Sequence, residues 1–74
     1  MNVDHTQVLK LAESNNGILT LKLVRDELDW DAYRIENLLN FMIREGIVWL
    51  DEFTGKAGTL KKSYYFPSLF IHDL

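Results

Sequence analysis

The chain has 74 residues, 47% of them apolar, with 11 carboxylates against 8 lysines and arginines for a formal charge of −3, and no cysteine. That length admits one domain, hiding only ~60% of the surface its unfolded form exposes, and the apolar content excludes a disordered chain. Without cysteine there are no disulfides or thiolate metal ligands, which fits a reducing compartment such as the cytosol, and the acidic balance lowers attraction to nucleic acid and anionic lipid.

The first periodic stretch spans Thr6 to Ser14, with Val8, Leu11 and Ala12 on one face, and Asn15, Asn16 and Gly17 stop it. Ile18, Leu19 and Thr20 form a strand-like interlude, and Thr20 suits the N-cap of a second helix from Leu21 to Leu28 whose Leu21, Val24 and Leu28 face inward. Asp31 can cap a third helix from Ala32 to Glu45, ended by Gly46. Ile35, Leu38, Leu39, Met42 and Ile43 make its apolar stripe, opposite Tyr33, Asn37, Asn40, Phe41 and Arg44. Trp30, at the corner between the second and third helices, is expected in the core.

After Gly46 the period becomes that of a strand. Ile47 to Phe53 and Ser63 to Phe66 are rich in β-formers, the second run ends at Pro67, and a flexible loop from Thr54 to Thr59 lies between them. Helix, short strand, two helices and a hairpin with a glycine-bearing tip predict an α+β winged helix: three helices, a small antiparallel sheet and a β-hairpin wing. One domain, 1–74, is expected, without repeats or linker, and residues 71–74 are expected to fray. The amino terminus has no apolar run resembling a signal peptide, and no segment approaches the ~20 apolar residues of a membrane span, so membrane insertion is not expected.

No residue pattern supports an enzyme, a metal or another cofactor. His5 and His72 stand near opposite ends of the chain without a nucleophile pattern. Asp26, Glu27, Asp29 and Asp31 lack the glycine-centred order of a Ca²⁺ loop and suit capping and solubility. Gly55 and Gly58 flank Lys56, but no Ser or Thr follows the lysine and no helix begins there, which argues against a phosphate loop.

Two binding faces remain. Arg34, Asn37, Asn40 and Arg44 on the third helix could read base edges in a DNA major groove, but Asp29, Asp31, Glu36 and Glu45 lie near the same surface, with only Lys56, Lys61 and Lys62 in the wing to compensate. On the hairpin, Val48, Leu50, Tyr64 and Phe66 can turn into the core, leaving Ile47, Trp49 and Tyr65 on the other side. An aromatic and aliphatic patch of that kind on a small domain meets either a partner, through which copies of an otherwise monomeric domain could also associate weakly, or the chain's own tail through Leu69 and Phe70.

Leu28-x-Trp30-x-x-x-Arg34, then Leu39, then Glu45-Gly46-Ile47-Val48-Trp49-Leu50-Asp51, together with Tyr64-Tyr65-Phe66-Pro67-Ser68-Leu69-Phe70, resembles the ESCRT-II endosomal sorting complex, in its vacuolar-protein-sorting subunit twenty-two type. The sequence departs from that pattern at Tyr65, where the family usually shows tryptophan, and in a longer wing from Thr54 to Lys62. The resemblance implies the second, carboxy-terminal winged helix of a longer subunit. It implies a cytoplasmic scaffold recruited peripherally to endosomal membranes, where the complex sorts ubiquitinated cargo into multivesicular bodies between ESCRT-I and ESCRT-III. It implies as partners the other ESCRT-II subunits, above all the small winged-helix subunit through its own first winged helix and its proline- and tyrosine-containing motifs. Ile47, Trp49, Tyr65, Pro67 and Phe70 are then the expected contact residues.

Overall fold

The computed structural model describes residues 3–70. In chain order they form α1 (Val3–Ser14), β1 (Ile18–Leu19), α2 (Leu21–Leu28), α3 (Ala32–Arg44), β2 (Trp49–Thr54), β3 (Leu60–Tyr65) and a 3-10 turn (Pro67–Leu69). The strands make one antiparallel sheet in the order β1-β3-β2. This is the winged-helix arrangement expected from the sequence. Residues 71–74, where fraying was expected, lie outside the described residues, and His72 with them.

The helix ends follow from groups that satisfy otherwise orphaned backbone atoms. Thr20 Oγ1 accepts from the Leu23 N–H at 3.2 Å, and the Asp31 carboxylate accepts from the Arg34 N–H at 2.9 Å. Each cap of this kind stabilises by about 1 kcal/mol. At the other end of α3, Gly46 takes φ 79°, its N–H bonds the Ile43 carbonyl at 3.0 Å, and the Ile47 N–H bonds the Met42 carbonyl at 2.9 Å. These are the paired bonds of a Schellman motif.

That closure moves two boundaries. α3 ends at Arg44 rather than Glu45, and β2 begins at Trp49 rather than Ile47, because the N–H groups of Ile47 and Val48 both turn back to Met42. α1 starts at Val3 rather than Thr6, with Asp4 in its first turn, where a carboxylate faces the positive end of the helix dipole. β3 starts at Leu60 rather than Ser63, because the ladder from Trp49↔Tyr65 to Thr54↔Leu60 is continuous over six pairs. It ends at Tyr65 because Phe66 leaves the ladder to donate its N–H to the Gly17 carbonyl at 2.8 Å.

The core is the one the periodicity outlines. Val8 and Ala12 of α1, Val24 of α2, and Ile35, Leu39 and Met42 of α3 pack with Leu19, Val48, Tyr64 and Phe66, and Trp30 closes the α2–α3 corner. Leu50 is the exception. It pairs with Tyr64 across the ladder, yet it remains 37% exposed and does not enter the core. β2 is an edge strand whose six residues are all exposed, so the helices that bury Tyr64 and Leu19 do not reach far enough to bury Leu50. Burial also pushes the Tyr64 phenol above its ordinary value of 10.0, and the nearby carboxylates of Glu36 and Glu52 push it further in the same direction.

Candidate interaction surface

Successive residues of a strand point to opposite faces, so the register decides which side chains share a surface. Tyr65 on the central strand stands opposite Ile18 on one side and Trp49 on the other. Tyr64, one residue earlier, is buried with its partner Leu19, so Ile18, Tyr65 and Trp49 form a row on the outer face. Facing residues in an antiparallel pair hold their Cβ atoms about 5 Å apart, close enough for the three side chains to make one platform. Trp49 is 65% exposed at its end. Further along the same face Asp51 lies opposite Ser63, and Phe53, also exposed, lies opposite Lys61.

Among the described residues, the tail as far as Phe70 borders this platform without covering it. Leu69 packs against the core, and the Phe70 ring sits 6.3 Å from that of Tyr65 at 46° while remaining 46% exposed. Gly17 makes the approach possible. A Cβ on Gly17 would stand 3.2 Å from Leu69 Cβ and 3.3 Å from the Phe70 ring, and φ there is 82°. The same glycine donates to the Ala12 carbonyl at 2.7 Å and accepts from Phe66, joining the end of α1 to the start of the tail.

Of the five residues singled out from the hairpin and tail, the structure brings Trp49, Tyr65 and Phe70 together. Ile47 is exposed but sits in the turn that closes α3, and half-buried Pro67 opens the 3-10 turn. Sequence reasoning missed Ile18 and Phe53 as members of this face. The signal for Ile18 was the alternation of Ile18 with buried Leu19, but a two-residue strand shows its face only once its pairing with β3 is known.

The exposed face of α3 is built differently. Asn37, Asn40 and Arg44 point to solvent, but the Arg34 guanidinium holds Asp4 of α1 through bonds of 3.1 and 2.7 Å and lies 4.0 Å over the Trp30 ring. The hydrogen bonds from Arg34 hold the Asp4 carboxyl below its ordinary value, outweighing a smaller opposing effect of desolvation, and the charges of Arg34 and His5 act in the same direction as the hydrogen bonds. Beside this pair, His5 stacks on Phe41 at 5.5 Å and 12°.

The tempting carboxylates have local tasks. Asp26 pairs with Lys22 at 2.6 Å, Asp29 takes the left-handed C-cap of α2, and Asp31 caps α3. Among the described residues, no group of three or more histidines, cysteines or carboxylates is gathered as a metal site, and no helix is long and apolar enough to cross a membrane.

Comparison with known proteins adds a relationship to this geometry. Over 69 residues, 93% of the chain, it is 39% identical to the vacuolar-sorting protein SNF8 of Dictyostelium discoideum, and over 71 residues, 95% of the chain, it is 38% identical to that of Homo sapiens. The chain is similar to vacuolar-sorting protein SNF8. The SNF8 of Danio rerio matches at 39% over 70 residues, again 95% of the chain. The chain spans about a quarter of the length of these SNF8 proteins, 25% to 26%. No family model and no solved structure matches it.

Proposed function

We propose that this chain is a protein-binding winged helix of ESCRT-II, corresponding to the second, carboxy-terminal winged helix of the SNF8 type of subunit, and that its outer sheet face receives the small winged-helix subunit of that complex. The observation that carries the reading is the row Ile18–Tyr65–Trp49 with Phe70 at its border. It is an aromatic platform on a rigid sheet, and such anchors dominate binding energy where they are desolvated by a partner. The SNF8 likeness supports the assignment to vacuolar sorting, and the resemblance at Glu45 to Asp51 and Tyr64 to Phe70 supports the choice of partner. In this role the domain binds and performs no catalysis. It serves as a cytoplasmic scaffold, recruited peripherally to endosomes, in the sorting of ubiquitinated membrane cargo into multivesicular bodies. Pro67 opens the 3-10 turn that leads the tail to the platform, and Ile47 stands exposed in the turn before β2.

The test is an NMR titration of the isotope-labelled chain with the first winged helix of the small ESCRT-II subunit. Shifts are expected at Ile18, Trp49, Tyr65 and Phe70. Shifts confined to α3, or none at high partner concentration, overturn the assignment.

A further inference from the structure

A second surface is set apart by charge. Four of the chain's eight lysines and arginines, Lys22, Arg25, Lys61 and Lys62, line one open groove of about 550 Å³ between α2 and the wing, with Leu21 and Leu60 among its apolar lining. Among the described residues Glu36 is the one carboxylate in that lining, so four cations against one anion sum to +3 there, in a chain whose total is −3. Leu60 is 58% exposed. Lys22 is engaged by Asp26, but both side chains of that pair are well exposed, at 85% and 57%. Exposed pairs of this kind contribute little and exchange readily for another carboxylate. Arg25, Lys61 and Lys62 make no salt bridge among the described residues.

We propose that this groove binds an acidic segment of polypeptide, its carboxylates meeting the basic rim and an aliphatic side chain lying against Leu21 and Leu60. Charge complementarity selects the sign of the ligand, and the composition of the groove selects its class. A nucleic-acid strand or a lipid surface presents anionic groups continuously and would bring some of them against Glu36 and against Asp26 beside Lys22. A polypeptide can space its carboxylates to meet the four cations and place an apolar residue between them. Leu60 and Lys62 lie on the same side of β3 as buried Tyr64, whereas Lys61 lies on the outer face opposite Phe53, so the groove reaches the outer face at the wing, four residues along β3 from Tyr65 of the aromatic row.

The experiment is a titration of the isotope-labelled 74-residue chain with a short peptide of alternating glutamate and leucine. The glutamine-for-glutamate analogue, single-stranded oligothymidine, and phosphatidylcholine vesicles containing phosphatidylserine are titrated in parallel. The expected result is amide shifts at Lys22, Arg25, Leu60, Lys61 and Lys62 with the glutamate peptide alone. The double reversal R25E/K62E is expected to weaken that binding about tenfold with an unchanged circular-dichroism spectrum. Should the double reversal perturb the fold, the neutral R25Q/K62Q pair is expected to weaken binding in the same direction. The proposal is overturned if the groove does not respond, if the glutamine analogue binds equally well, or if oligothymidine or the vesicles occupy the groove more tightly than the peptide.

Discussion

The outer row of the sheet and the solvent face of α3 are both exposed, but their side chains are committed differently. Ile18, Tyr65 and Trp49 are held in register by the ladder, and the outermost of them, Trp49, projects mostly into solvent. On α3, Arg34 would lead any contact with phosphate, yet its guanidinium already bonds Asp4 and covers Trp30. A residue type suited to a ligand is therefore a weak guide until its partners within the fold are known. An aromatic row fixed by strand pairing and left open is a stronger one.

The largest effect is expected where the platform meets the core. Tyr64 and Tyr65 are neighbours on β3, and only Tyr64 is buried. Tyr64→Ala is expected to cost about 3–5 kcal/mol, as other large aromatic truncations do, a substantial part of the stability of a small domain. Urea unfolding measures it, and a loss under about 1 kcal/mol would mean that the inner face of β3 does not anchor the row. Trp49→Ala is the matching change on the outer face. It is expected to weaken the proposed binding of the small ESCRT-II subunit by about 2 kcal/mol while leaving the urea midpoint nearly unmoved. A Trp49→Ala chain that unfolds would place Trp49 with the core and break the contrast.

Gly17→Ala tests the border of the platform. The new methyl group would require a left-handed residue to carry a side chain and would crowd Leu69 and Phe70, so a loss of about 1–2 kcal/mol is expected. In NMR spectra the shifts should concentrate at Phe66 to Phe70 and at Tyr65. Stability and tail signals unchanged from the wild type would show that the tail is not held through this glycine.

Much of the fold was legible because it rests on local rules. The Thr20 and Asp31 caps, the Gly46 closure and the stripe from Ile35 to Ile43 are each written within a few residues and appear as the sequence predicts. The shifted ends of α1 and α3 and the start of β2 are local, and the other errors lie where a distant segment decides. The start of β3 at Leu60 depends on pairing with Thr54, the exposure of Leu50 on which strand forms the edge, and the face of Ile18 on a partner 47 positions away in the chain, Tyr65. The outer aromatic row was legible only in part for the same reason. Trp49 and Tyr65 stood out through hairpin alternation, whereas Ile18 joined them only through the third strand.

The smallest effect concerns the engagement of Arg34, on which the contrast between the two faces rests. Asp4 is held below its ordinary carboxyl value of 3.8, first by hydrogen bonds from Arg34. A folded-state value below the unfolded one means that the pair's contribution is fully present above the unfolded value and is lost as pH falls through the folded one. Stability of the wild-type chain should therefore exceed that of Asp4→Asn at neutral pH, and the gap should narrow as pH drops below about 4 and close once Asp4 is protonated in both states. Paired urea titrations across that range measure the gap. A gap that is the same at neutral and acid pH would assign the loss to altered packing at the start of α1. In that case the charge of Arg34 would not be held within the fold, and α3 would regain its standing as a binding face.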